Sequence, residues 1–210
     1  MDLLVPLATI APGLDSTALT ALAGVEAAMS ATQIHRVAGR GSRYGLVLVL
    51  ERLVAHGLVT ATPAARGNLY QLNREHVLAP VVMAAVRARM EVENRLAEAS
   101  GRLTPTPLSL AIFGSMARGE AHAESDIDLL IIADEVDPDG EAWARQVDDL
   151  ERRARIWTGN PLQVTTMTRA QLAAMVSAGV PIISEWERDA RTIMGQDARS
   201  LIRAARKGML

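Results

Sequence analysis

The stretch Phe113-Gly-Ser-Met-Ala-Arg-Gly-Glu-Ala-His-Ala-Glu-Ser-Asp-Ile-Asp-Leu129 decides how this chain is read. An apolar run over 108–113 leads into Gly114-Ser115, and a second run over 126–133 begins with Asp126-Ile-Asp128. Both runs have the length and apolar content of buried strands. Side chains at i and i+2 of a strand share one face, so Asp126 and Asp128 stand side by side while Ile127 turns to the core. Two close carboxylates repel unless a cation lies between them. Hard oxygen donors in that arrangement suit Mg²⁺ or Mn²⁺. Two such ions would clamp the attacking and leaving oxygens of a phosphoryl or nucleotidyl transfer. Asp126 and Asp128 are therefore the candidate metal ligands and catalytic residues.

Gly114 lets the backbone come close to a phosphate, and a helix opening at Ser115 would offer free N–H groups to an anion. The Ser115 hydroxyl adds a donor, and the Arg118 guanidinium a fork of donors. Gly119 and Ser125 shape the loop between the halves. Gly114, Ser115, Arg118 and Ser125 are the candidate nucleotide-binding residues. Taken singly, a Gly-Ser pair is an ordinary turn and an Asp-x-Asp an ordinary cap. Their combination at this spacing, between two strands, carries the signal.

The segment closely resembles the signature of the polymerase-β-like nucleotidyltransferases: Gly-Ser, about ten residues, then Asp-x-Asp. The form Gly-Ser-x-Ala-Arg-Gly…Ser-Asp-x-Asp-Leu is most similar to the minimal branch of that superfamily. The resemblance spans about residues 105–195. It implies a mixed β-sheet flanked by helices and a nucleoside triphosphate bound through two metal ions. It also implies transfer of a nucleoside monophosphate, often AMP from ATP, to a hydroxyl. Minimal transferases of this type are often antitoxin partners that modify a toxin protein, so a protein hydroxyl is the acceptor the resemblance suggests. The family normally adds a third carboxylate on a later strand. Here that strand is Leu162-Gln-Val-Thr-Thr-Met-Thr168 and contains no acid. Gln163 or Thr165 stands at the expected position. A Gln carbonyl can ligate a metal but takes no proton at neutral pH. Asp148, Asp149 and Glu151 precede the strand on a predicted helix and read as a solvated face.

Working outward, 141–157 reads as a helix and 162–168 as a strand. Thr168 caps a helix over 169–177, and 181–190 and 191–194 add a helix and a strand. Strands alternating with helices place this half in an α/β or α+β class. Upstream, 14–24 reads as a helix with Asp15 or Ser16 near its N-cap. Ser30 caps a helix over 31–38 with Ile34 and Val37 on one face. Ser42 caps another over 43–56, which Gly57 ends. Leu46, Val49, Leu50, Leu53 and Val54 fall on its buried stripe. Two short strand-like runs around Pro63–Gly67 read as a hairpin. This order resembles a winged helix-turn-helix over about 14–74.

Such a unit lays its third helix in the DNA major groove and uses Arg and backbone N–H groups on phosphates. Arg40, Ser42, Arg43, Tyr44 and Arg66 are the candidate DNA-binding residues, with Arg36 and Arg52 placed for phosphates. Val47 and Leu48 lie off the buried stripe and fit thymine methyls or a protein partner. Residues 76–100 read as one long amphipathic helix. Pro105 and Pro107 follow it and mark the best domain boundary. The expected organisation is a winged helix-turn-helix over 1–75, a linker helix over 76–103 and a nucleotidyltransferase-like domain over 104–210, an α+β chain.

Composition narrows the alternatives. The chain has 210 residues, 49% hydrophobic and 22% charged, a globular balance. It has no Cys, which removes disulfides, thiol nucleophiles and thiolate metal sites. No long uncharged apolar run and no basic-then-apolar leader occurs, so a cytoplasmic protein without membrane contact is expected. Net charge is −2, but residues 1–103 hold 10 basic and 8 acidic side chains against 12 and 16 in 104–210. The basic half suits double-stranded DNA. The four His have no partners at metal-ligand spacing and read as surface or cap residues. Trp143, Trp157 and Trp186, with Met83, Met90, Met167 and Met175, read as packing. The two functional readings are a Mg²⁺-dependent nucleotidyltransferase with a DNA-binding domain, and a transcriptional regulator whose transferase domain is inactive or only senses nucleotide. A homodimer is left open.

Overall fold

The computed structural model describes residues 1–39, 41–134 and 136–209. Asp2 and Leu4–Arg89 form one compact unit, and Met90–Leu210 with Met1 and Leu3 form the other.

In the first unit a 3-10 turn, Pro6–Thr9, precedes α1 (Leu14–Ala23), β1 (Met29–Ser30), α2 (Ala31–Ala38) and α3 (Arg43–Ala55). Strands β2 (Val59–Ala64) and β3 (Gly67–Leu72) and helix α4 (Ala79–Val86) follow. The local chemistry sets these boundaries. Ser30 and Gln33 form a capping box at α2, and Gly39, at φ +65°, ends it in the left-handed region. Ser42 caps α3 by accepting from the Gly45 N–H. The α1 cap falls on Gly13 rather than Asp15 or Ser16: the Ser16 hydroxyl donates back to the Gly13 carbonyl, and Asp15 is engaged by Arg52. The strands order β1-β3-β2, all antiparallel. The two-residue β1 is too short for any period to reveal it. Leu46, Leu50 and Leu53 of α3 are buried with Ile34 and the α1 side chains, while Val49 and Val54 pack at the edge. Val37 does not share the Ile34 face; it is 64% exposed.

The predicted single helix over 76–100 is two. α4 ends at Val86 with Arg87 as its C-cap, and α5 spans Ala88–Ser100. Ala79 and Val82 of α4 are buried, Val82 within the first unit's core, whereas Val92 and Leu96 of α5 lie in the core of the second. The division between units therefore falls between Arg89 and Met90, where the apolar stripe changes the core it serves, and not at the prolines. Leu103 and Pro107 are buried on the second unit's side of that division.

The second unit continues with β4 (Ser109–Phe113), α6 (Gly114–Arg118), β5 (Ile127–Ile132), α7 (Glu141–Thr158) and β6 (Leu162–Met167). It closes with α8 (Arg169–Ser177), α9 (Pro181–Asp189), β7 (Arg191–Gly195) and α10 (Ala198–Arg206). The sheet runs β6-β5-β4-β7, parallel between β5 and β6 and antiparallel elsewhere, so it is mixed. Period-two alternation assigns the faces. Leu110, Ile112, Ile127, Leu129 and Ile131 pack with Val92, Leu96, Trp143 and Leu150 from α5 and α7. Ala111, Phe113, Leu130 and Ile132 pack with Leu172, Trp186 and Ile202 from α8, α9 and α10. Helices on both faces explain why these strands read as continuous apolar runs. Helix α10 has a legible signal that the sequence reading passed over: Asp197 caps it, and Ala198, Leu201, Ile202 and Ala205 form a buried stripe.

Because the two cores share no buried side chain, truncating one leaves the other packed. Leu50→Ala is expected to cost about 2–5 kcal/mol. Hydrogen exchange should show that loss in residues 4–89 and leave protection of β4 and β5 unchanged.

Candidate functional site

The Gly114-Ser115 turn and the Asp126–Asp128 pair meet at one end of the β4–β5 ladder. Phe113, the last residue of β4, pairs with Asp128. The chain then turns out of the strand at Gly114, with φ +65°, directly into α6. A Cβ on Gly114 would stand 2.2 Å from Asp128 Oδ2 and 3.1 Å from Cγ. The Asp128 carboxylate therefore rests on the bare α-carbon of Gly114, an approach open only to glycine. The parity of β5 puts Asp128 on the same face as Leu130 and Ile132. Asp128 is half-buried, and Asp126, just before the strand, is exposed.

The loop between the halves is built by its own polar groups. Gly119 ends α6 at φ +74°, and the Glu120 N–H donates to the Ser115 carbonyl at 2.9 Å. The His122 N–H donates to Ser125 Oγ at 3.0 Å, and the Ser125 N–H to the His122 carbonyl at 3.1 Å. The Ser125 hydroxyl thus holds the loop in this structure. Asn160, 1% exposed, donates through Nδ2 to the carbonyls of Ala123 and Ser125 at 3.1 and 3.0 Å. Ile127 N–H donates to the Pro161 carbonyl at 2.9 Å. These three bonds fix the residues on either side of Asp126. Asn160 lies 35 residues from Ser125, in a Gly-Asn-Pro turn that reads from sequence only as a turn.

Arg118 is already engaged. Its Nε lies 2.8 Å from Glu120 Oε2 and its Nη1 2.9 Å from Asp189 Oδ2. Asp189, at the end of α9, also takes Arg188, and hydrogen bonds from Arg188 and then Arg118 hold its carboxyl down at about 2. Asp189 carried no signal, because only the fold brings it 71 positions back to Arg118. Burial, then the charge of Asp126, pushes the Asp128 carboxyl above its ordinary value, and Arg118 opposes the rise.

On β6, Gln163 pairs with Asp128 and Thr165 with Leu130. Leu162 and Val164 pack into the α5–α7 core, so Gln163 and Thr165 share the Asp128 face. The third position is thus filled by an amide and a hydroxyl. Among the described residues no group of three or more His, Asp or Glu gathers to hold a metal. Asp149 pairs with Arg152 and Arg153. Glu151 is half-buried beside the Val164 backbone at the outer edge of β6, and burial, then Asp148, pushes its carboxyl up.

Residues 90–172 match a family model described as a nucleotidyltransferase domain. The second unit carries a nucleotidyltransferase domain. The match runs from α5 into α8 and covers less than half of the chain, and it contains Gly114, Ser115, Asp126 and Asp128. No curated protein and no solved structure gives a match. No helix among the described residues is long and apolar enough to cross a membrane.

In the first unit, Arg43 and Tyr44 are exposed in the first turn of α3, and Tyr44 is 75% exposed. Ser42 is exposed, but its hydroxyl is used as the α3 cap. Arg66 is exposed in the turn between β2 and β3. Arg40 lies outside the described residues, and Arg52 is engaged by Asp15.

Two outcomes follow for the nucleotidyltransferase domain. Gly114→Ala should destabilise it by about 1–3 kcal/mol, through positive-φ strain and the lost seat of Asp128. That cost should shrink in an Asp128→Ala background; additive costs in denaturant unfolding would contradict the contact. Separately, a folded-state carboxyl raised above its unfolded value favours folding at low pH and loses that contribution as pH rises through the raised value. Asp128→Asn should therefore raise Tm modestly at pH 7, and the gain should vanish below the ordinary carboxylate range.

Proposed function

We propose that this chain transfers a nucleoside monophosphate, AMP from ATP, to a hydroxyl acceptor, and that its first unit binds double-stranded DNA. The observation that carries the transferase half is the seat of Asp128 on Gly114. It joins a phosphate-approaching turn to an acid pair inside a nucleotidyltransferase domain. The donors fit Mg²⁺ or Mn²⁺: two carboxylates repel each other, and the more buried one is pushed toward protonation, a penalty that a cation relieves. Asp126 and Asp128 would hold the metal, with Gln163 the neutral oxygen nearest the third position in register. Bound there, divalent ions supply neutralisation of the triphosphate charge and polarise its phosphorus–oxygen bonds.

The chain's own groups do the rest. The Ser115 hydroxyl donates to phosphate oxygens, and so do the N–H groups of the first turn of α6. Arg118, steadied by Asp189, presents its free edge to the same charge. The acceptor oxygen bonds to the α-phosphorus while the bond to the bridging oxygen breaks, and pyrophosphate leaves with that electron pair. The acceptor proton has no carboxylate on β6 to take it, so it passes to solvent or to the phosphate itself. A protein hydroxyl, as in toxin partners, is the acceptor the motif suggests.

The order helix, strand, helix, helix, hairpin, closed by β1 against β3, supports a winged helix-turn-helix reading of the first unit. With Arg43 and Tyr44 opening α3 and Arg66 at the hairpin tip, α3 would enter the major groove and the hairpin would touch phosphate. Gln163 and Thr165 in place of a third acid favour one second reading: a DNA-binding transcriptional regulator whose transferase domain holds nucleotide without turning it over.

Incubation with α-labelled ATP and Mg²⁺ separates the two. Label transfer or pyrophosphate release that falls more than about 100-fold in Asp126→Ala/Asp128→Ala supports the transferase. Absent turnover, with Mg-ATP raising Tm in the wild type alone, supports the sensor. Neither result would overturn both. DNA retardation that weakens with salt, and is lost in Arg43→Ala/Arg66→Ala, is the outcome expected of the first unit.

A further inference from the structure

Both neighbours of Asp126 are held from consecutive residues of one turn. Asn160 Nδ2 donates to the Ser125 carbonyl at 3.0 Å and to the Ala123 carbonyl at 3.1 Å, and the Pro161 carbonyl accepts from the Ile127 N–H at 2.9 Å. Asp126 itself is exposed, and its carboxylate makes no hydrogen bond or ion pair among the described residues. Its place beside Asp128 therefore comes from its main chain, which residues 160 and 161 pin on either side.

The turn that does the pinning is itself anchored. The Thr158 hydroxyl, buried at the end of α7, donates to the Ala154 carbonyl at 2.7 Å and accepts from the Asn160 N–H at 3.0 Å. Asn160 Oδ1 accepts from the Met1 nitrogen at 2.8 Å. A side-chain amide has two N–H donors and an acceptor oxygen. At Asn160, 1% exposed, both kinds of group are in use. The same turn opens β6 and so also fixes Gln163, which pairs with Asp128. One buried amide thus refers Asp126 and the third position to a common frame.

We infer that Asn160 is a positioning residue for divalent-cation binding: its hydrogen bonds reach neither carboxylate, and it holds the main chain of Asp126 against the repulsion of Asp128. The inference rests on the acid pair holding Mg²⁺ or Mn²⁺, as proposed above. Like charges drive the pair apart in the metal-free protein. Without the amide the binding-competent arrangement is less populated, and apparent affinity falls by that same fraction.

Mn²⁺ titration of the full chain without nucleotide, read by the electron paramagnetic resonance of the free ion, tests this. The wild type should bind Mn²⁺, and Asp126→Ala/Asp128→Ala should not. Asn160→Ala should bind about tenfold more weakly, as when a group behind a metal ligand is removed. Leu150→Ala, in the core on the opposite face of the sheet, controls for lost stability; it should lower Tm and leave Mn²⁺ affinity unchanged. The linkage is reciprocal, so the wild type also reports it without a variant at 160. Saturating Mg²⁺ should slow solvent exchange of the Asn160 side-chain amide protons about tenfold, and should not do so in Asp126→Ala/Asp128→Ala. A wild type that takes up no Mn²⁺ sinks the acid-pair reading and this inference with it. The inference alone is overturned if the wild type binds but Asn160→Ala binds equally well, if Leu150→Ala weakens binding as much, or if amide exchange at Asn160 ignores Mg²⁺.

Discussion

The arrangement of the nucleotidyltransferase domain depends on an atom that is missing. Gly114 has no Cβ, and the Asp128 carboxylate occupies the place where one would be. The ladder dictates this contact: β4 ends at Phe113 opposite Asp128, so the next residue must turn away under the acid. The turn needs positive φ and no side chain, and glycine alone meets both demands cheaply. The result brings the opening turn of α6 against Asp128, while the loop over 119–126 is held by Ser125 and Asn160.

Such closeness has an electrostatic cost. Asp128 is half-buried next to Asp126, and its carboxyl is held above the usual range even with Arg118 nearby. Arg118 is not free to neutralise it, because Glu120 and Asp189 compete for the same guanidinium. Asp189, held low by two arginines, steadies Arg118 while leaving the acid pair short of positive charge. On the proposed reading, the positive charge that the acid pair lacks would come from the divalent ion the site would hold. Stability is given up locally, and the Asn160 clamp and the buried faces of β4 and β5 offset it.

Much of this was legible in the sequence, for physical reasons that differ by element. The strands β4 and β5 showed as apolar runs because both faces are covered, and the Ser30 and Ser42 caps showed because capping is local chemistry. The Gly-Ser and Asp-x-Asp pairs were visible because two short motifs at fixed spacing outweigh either alone. What stayed hidden was long-range. Asn160 reads as part of a turn, and only the parallel β5–β6 pairing brings it under the loop ahead of Asp126. Asp189 reads as a helix-end charge until α9 carries it to Arg118. The break at Arg87 was missed for a different reason: the apolar spacing over 76–100 fits one helix, and no periodicity tells which core each half serves. Val37 shows the converse error, an apolar residue placed on the buried face although it lines an open cavity.

The register of β6 makes the chemistry at the third position an argument about protons rather than about metal affinity. Gln163 stands opposite Asp128 and offers an oxygen that can ligate but cannot accept a proton near neutrality. Glu151, the nearby acid whose carboxyl is pushed up into a more basic range, lies at the outer edge of β6 beside the Val164 backbone. It therefore flanks the strand rather than the face that Gln163 and Asp128 share. In the proposed transfer, an acceptor approaching over Gln163 finds no carboxylate on β6 itself, and Asp148 and Glu151 line the same hollow as Gln163 around the strand edge; without one of them its hydroxyl must be acidic, pre-ionised or deprotonated by the phosphate it attacks. A loose, largely dissociative phosphoryl transition state tolerates this, because little proton transfer is needed before the leaving group departs. On the proposed reading, a neutral third residue is thus compatible with slow transfer to a willing hydroxyl, with positioning left to Ser115, Arg118 and the acid pair.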